Sequence, residues 1–113
     1  MSAMAWLEQD GAICRDSFEV KTYDCTPRQE LSATAFLRWS AELADLHLGE
    51  FALSYEQLNR MGMVFLLTAI ELRFTRMPKM REHGTIATWH RGTERVRFLR
   101  DTELCGEGGE QLA

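Results

Sequence analysis

The sequence predicts an α+β domain in which one long helix lies across an antiparallel sheet. Three features predict it: a period-two stretch near the start, a 17-residue Ala- and Leu-rich run free of Gly and Pro, and a string of β-rich segments separated by turn signals. At 113 residues the chain is about three quarters of a ~150-residue domain, so a single unit is expected.

The elements follow in order. Residues 1–15 carry no usable period and are expected to be a lead-in, with the domain proper at 16–113. Phe18, Val20 and Thr22 alternate with Glu19, Lys21 and Tyr23, a strand burying one face. Thr26-Pro27-Arg28-Gln29 fits a capped helix start, and Ser32 to Leu48 continues the helix. Its apolar surface joins a stripe of Phe36, Ser40, Ala44 and His47 to one of Trp39, Leu43 and Leu46, with Gly49 as a left-handed stop. Ser54-Tyr55-Glu56-Gln57 starts a two-turn helix that Gly62 closes. Met63 to Thr75 reads as a long strand with Ile70, Leu72 and Phe74 inward, ended by Pro78. Thr85 to His90 and Arg95 to Glu103 then form a meander turning near Gly92. After Gly106-Glu107-Gly108-Gly109 only four residues remain, so the last strand reads as truncated or as completed by a partner, which favours a dimer.

Charge is unevenly spread. Residues 1–72 hold five basic and eleven acidic side chains, residues 73–100 eight and two, and residues 101–113 four acidic ones, for a net −4. That total argues against a nucleic-acid binder, whereas the cationic stretch suits an acidic protein partner. Arg73, Arg76, Lys79 and Arg81 are its first candidates, followed by Arg91, Arg95, Arg97 and Arg100; a solvated strand surface is the plainer alternative. Cys14, Cys25 and Cys105 are widely spaced, without a CxxC pair, which suggests neither a disulfide framework nor a zinc site. His47, His83 and His90 lack metal-ligand spacing, and no cofactor motif occurs. Lacking a secretory leader and any apolar run near the ~20 residues of a spanning helix, the chain is expected to be cytoplasmic and free of membrane.

A long helix wrapped by a sheet resembles the hotdog fold. The segments TYDCTPRQELSATAFLRW, LADLHLG and SYEQL, the RMP of Arg76 to Pro78, Thr88-Trp89, and the acid-then-glycine hairpin from Asp101 to Gly106 resemble the first hotdog of the acyl-acyl-carrier-protein thioesterases. The likeness covers residues 16 to 110. It implies hydrolysis of the thioester joining a fatty acyl chain to acyl carrier protein. In that family two hotdogs lie in tandem and the catalytic set belongs to the second, so the resemblance carries fold, substrate class and acyl-binding role here, with no catalytic residue. The chain alone is then expected to be inactive.

An acyl tunnel between helix and sheet would be lined by Phe36, Trp39, Ser40, Leu43, Phe65 and Leu67, whose plainer reading is core packing. Helix-start N–H groups around Leu31 to Ala35 could stabilise an oxyanion. Single-hotdog thioesterases use one carboxylate near or on the helix, which makes Asp24 and Glu42 alternative catalytic candidates, although CTPRQE lacks the Gly-His-Val-Asn type segment. The plainer reading of Glu42 is a surface acid facing Arg38 one turn away. Three functions stay open: the N-terminal hotdog of an acyl-carrier-protein thioesterase, a non-catalytic acyl-binding or dimerising half-hotdog, and a small acyl-CoA thioesterase.

Overall fold

A computed structural model describes residues 5–9, 11–50, 55–62, 69–94 and 97–113. Strands β1 (Trp6–Glu8) and β2 (Ile13–Glu19) precede helix α1 (Ala33–Gly49) and the short helix α2 (Tyr55–Arg60); β3 (His83–Glu94) and β4 (Arg97–Gly106) close the order. Among the described residues the sheet is β1-β2-β3-β4, antiparallel throughout, with α1 packed against β2 and β3.

Residues 6–8 and 13–15, expected as part of a lead-in, form β1 and the start of β2. Cys14, Asp16 and Phe18 point inward there, and a carboxylate at an inward position hides the alternation that would announce a strand. Phe18 and Val20 are buried as expected, whereas Thr22 is exposed in a short 3-10 helix, Thr22–Asp24.

The helix starts later than the Thr26 motif suggests. Ser32 is the N-cap, its Oγ accepting from Ala35 N–H at 3.1 Å. Thr26 closes a turn instead: its carbonyl accepts from Gln29 N–H, and its own N–H bonds to Glu30. Gly49 is the last helical residue, the glycines with positive φ among the described residues being Gly11, Gly62 and Gly109. Gly62, at φ +75, closes α2 as expected; Ser54 lies outside the described residues.

The core gathers Phe18, Val20, Leu31, Ala35, Phe36, Trp39, Leu43, Ile86, Leu104 and Leu112. Each large apolar side chain buried there contributes ~1.5–3 kcal/mol of transfer free energy. Residues 63–68 of the expected long strand lie outside the described residues, and 69–75 carries no strand. Leu72 and Phe74 still pack against the core, but Ile70 is exposed. Leu104 bonds to Leu112 and Ala113, and Thr75 N–H donates to Leu112 carbonyl, so Leu112 sits between β4 and Thr75. Gly92 lies within β3 at a register shift, where His90 opposes Arg100 and Gly92 opposes Leu99. A lone glycine in a β-rich run signals a turn or a bulge alike, and here it marks the bulge.

Candidate functional site

A groove of about 810 Å³ opens where β2 ends, β3 begins and β4 turns back. Its apolar wall is Phe18 against Trp39, ring centroids 5.2 Å apart and tilted by 35°, which ties β2 to α1. Gly84 seats the Phe18 ring: a Cβ at residue 84 would lie 2.0 Å from Cys105 carbonyl oxygen and 2.7 Å from a ring carbon. Ser17 and Thr85, register partners on β2 and β3, add hydroxyls.

The polar rim centres on Glu19. Its carboxylate pairs with Lys21 and, at 3.3 Å, with Nε2 of His83, its partner across the ladder. The Lys21 hydrogen bond holds the Glu19 carboxyl below its usual value, against a smaller opposing effect of desolvation, and the same bond raises Lys21.

Asp24 also lines the groove, and it is buried. Its Oδ2 accepts from Lys21 N–H at 3.1 Å, its carbonyl accepts from Ser32 N–H at 2.8 Å, and Arg38 Nη2 stands 3.9 Å from Oδ1. The carboxylate thus caps the 3-10 helix while facing the groove. The Leu31, Ser32 and Ala35 N–H groups are engaged by Pro78 carbonyl, Asp24 carbonyl and Ser32 Oγ, which leaves Ala33 and Thr34 as the helix-start donors not so engaged.

The tunnel candidates separate. Phe36 and Leu43 are core residues, Phe36 packing edge-on to Phe74 at 5.4 Å; Trp39 belongs to the core and lines the groove. Ser40 is half-buried and its Oγ donates to Phe36 carbonyl at 2.9 Å. Phe65 and Leu67 lie outside the described residues. Glu42 is exposed and does not line this groove, and the ion pair of Arg38 is with Asp24.

The cationic candidates separate too. Arg73 pairs with Glu71, Arg91 with Asp101, and Arg76 with both Glu82 and Glu110. Arg100 turns inward, bonding His47 Nδ1 at 2.9 Å and Thr88 Oγ1 at 3.3 Å, so it cannot serve an external partner in this arrangement. Arg95 and the Arg97 side chain lie outside the described residues. Burial pushes the Cys14 thiol up, and it pushes that of Cys105 up to about 11, with Glu103 adding; both are unfavourable as thiolates.

Neither the Glu19–His83 pair nor the Ser17–Thr85 pair was visible in sequence, because both depend on β2–β3 register. Among the described residues no three His, Cys, Asp or Glu side chains form a metal-binding group, and no helix is long and apolar enough to cross a membrane.

One helix packed across a four-stranded antiparallel sheet is the hotdog fold. The family model for the acyl-ACP thioesterase N-terminal domain matches residues 11–113, and the chain belongs to that family. Among solved structures it is similar to an acyl-ACP thioesterase from Bacteroides thetaiotaomicron VPI-5482 (15% identity, TM-score 0.84), covering 94% of this chain and 44% of that one. It is similar also to a provisionally assigned oleoyl thioesterase from Lactobacillus plantarum (19%, 0.84), covering 95% and 42%. A DHNA-CoA thioesterase from Staphylococcus aureus (15%, 0.79) is covered to 67% by 88% of this chain. At such identities the likeness speaks for the fold, and the chain spans less than half the length of the first two. No curated protein matches it in sequence.

Proposed function

We propose that this chain is the substrate-binding N-terminal hotdog of a cytoplasmic thioesterase that releases fatty acid from acyl carrier protein. The family match over residues 11–113 carries the reading. The groove supports it chemically: Phe18 and Trp39 offer an apolar wall to an acyl chain, and Glu19, His83, Ser17 and Thr85 offer polar contacts to the amide-rich thiol arm. In the reaction a water oxygen attacks the thioester carbonyl, the C–S bond breaks, and the thiol leaves with the proton taken from water. A base organised by a second hotdog would take that proton, so this chain contributes binding rather than turnover.

Asp24 gives a second reading its one specific support. A buried carboxylate lining the groove, on a residue whose carbonyl accepts from the helix N-cap Ser32, is the kind of base a small acyl-CoA thioesterase requires. Its hydrogen bond to Lys21 N–H favours the structural role.

Thiol release measured on purified chain with acyl carrier protein thioesters and with acyl-CoA separates the two. The first reading expects saturable binding of the carrier thioester without turnover. Turnover abolished by Asp24→Asn, with folding retained, would replace it with the second.

A further inference from the structure

The two loops that meet at the start of α1 carry cations the groove does not use. Residues 26–31 and 78–82 are joined by Leu31 N–H to Pro78 carbonyl at 2.8 Å and Met80 N–H to Gln29 carbonyl at 2.9 Å, with Glu30 and Lys79 bridged. Between them lies a pocket of about 500 Å³, lined by Arg28, Gln29, Glu30, Lys79 and Met80. Arg28, Lys79 and Arg81 are exposed, and none has a carboxylate within ion-pair distance among the described residues. Arg73, Arg76 and Arg91, by contrast, are already paired with acids. Glu30 lies in the same pocket and Glu82 in the second loop, where it is paired with Arg76, so the two loops carry three cations against two acids, one of which is already engaged.

The backbone here is held under strain. Gln29 and Arg81 have φ of +60 and +70, left-handed values disfavoured for any residue but glycine. Each is pinned by the bonds around it, Arg81 N–H donating to Val20 carbonyl at 2.8 Å. The patch also adjoins the groove through one short element: Arg81 Nη2 bonds Thr22 Oγ1 at 3.4 Å, and Tyr23 and Asp24, in the same 3-10 helix, line the groove.

We propose that Arg28, Lys79 and Arg81 form the docking surface for an acidic protein partner, and that Arg73 and Arg76 do not. Building on the function proposed above, that partner is the carrier protein, whose thiol arm would then enter the groove across the Thr22–Asp24 turn. Complementary charge at a rim acts chiefly on encounter rate and salt dependence, which sets the readout.

The test is the affinity of the full chain for an acyl carrier protein at low and at high salt. The triple variant Arg28→Glu, Lys79→Glu, Arg81→Glu is expected to bind at least about tenfold more weakly, with a flattened salt dependence, while Arg73→Glu with Arg91→Glu stays within about twofold. Should the reversal disturb folding, judged by circular dichroism, the three Gln substitutions give the same ordering with a smaller loss. Wild-type binding that the triple variant matches within twofold overturns this surface and leaves the functional reading standing. No carrier-protein binding by wild type overturns both.

Discussion

Arg100 donates from Nη1 to Nδ1 of His47 at 2.9 Å, and the other ring nitrogen of His47 lies 2.6 Å from Gly11 carbonyl. A carbonyl can only accept, so Nε2 carries the proton and Nδ1 receives the guanidinium. One buried imidazole thus ties the end of α1 to the β1–β2 turn and to β4, at the opposite end of the helix from Ser32 and the groove. The sequence alone placed His47 on the apolar stripe of the helix; the structure adds two partners from distant segments.

Replacing either member removes a buried hydrogen bond from the other, although His47 keeps Gly11 carbonyl and Arg100 keeps Thr88 Oγ1. His47→Leu and Arg100→Met should each destabilise the fold by about 2–4 kcal/mol. The double variant should cost less than the sum of the two. Urea unfolding of the three variants measures this coupling.

Gly84→Ala should cost about 1–3 kcal/mol, because the new methyl group meets the Cys105 carbonyl and the Phe18 ring at once. Gly108→Ala, with open space around its Cβ position, should stay within about 0.5 kcal/mol. Thermal unfolding of the pair compares a close approach with a free turn.

Acid should weaken the Arg76–Glu82 link. The Arg76 hydrogen bond, opposed by some desolvation and aided by Lys79 N–H, holds the Glu82 carboxyl below its ordinary value. A depressed carboxyl contributes stability that is present above its unfolded value, ~4.3, and is lost as pH falls through the folded one. Glu82→Gln should therefore lower Tm slightly at pH 7 and make no difference once the medium is acidic enough to protonate wild-type Glu82. Tm measured from about pH 2.5 to about pH 7 reads the convergence.

Arg81→Gly should separate stability from docking. Glycine accepts φ +70 without penalty, so relief of roughly 1 kcal/mol offsets the added freedom of the unfolded chain, and stability should change by less than about 1 kcal/mol. Carrier-protein affinity should fall nonetheless. Unfolding and binding measured on the same preparation check the two halves.

The legible parts of this fold were those written in local pattern. The stripe of Phe36, Trp39 and Leu43 and the alternation of Phe18 with Val20 and of Leu72 with Phe74 announce their inward faces because helix and strand periods differ. Three features resisted for identifiable reasons. Asp16, inward on β2, breaks the apolar alternation that would have revealed residues 13–17. Thr26 and Ser32 offer the same capping chemistry, and the choice between them is made by Pro78 and Asp24, which bond the intervening backbone. Gly92 carries one signal for two structures. Of the site, Asp24 and Trp39 could be named from sequence, but Glu19 and His83 meet only through a register set across 64 positions of chain, the difference of their numbers.

The central claim is that the space beside Phe18 and Trp39 receives an acyl chain. A carrier protein bearing an acyl chain with a photoreactive diazirine near its thioester-distal half, irradiated with the full chain and mapped by peptide mass, tests it most directly. Crosslinks concentrated on the peptides holding Phe18 and Trp39, and suppressed by unlabelled acyl carrier protein, are the expected result. Bound carrier protein whose label falls elsewhere, with those two peptides unmarked, would contradict the account.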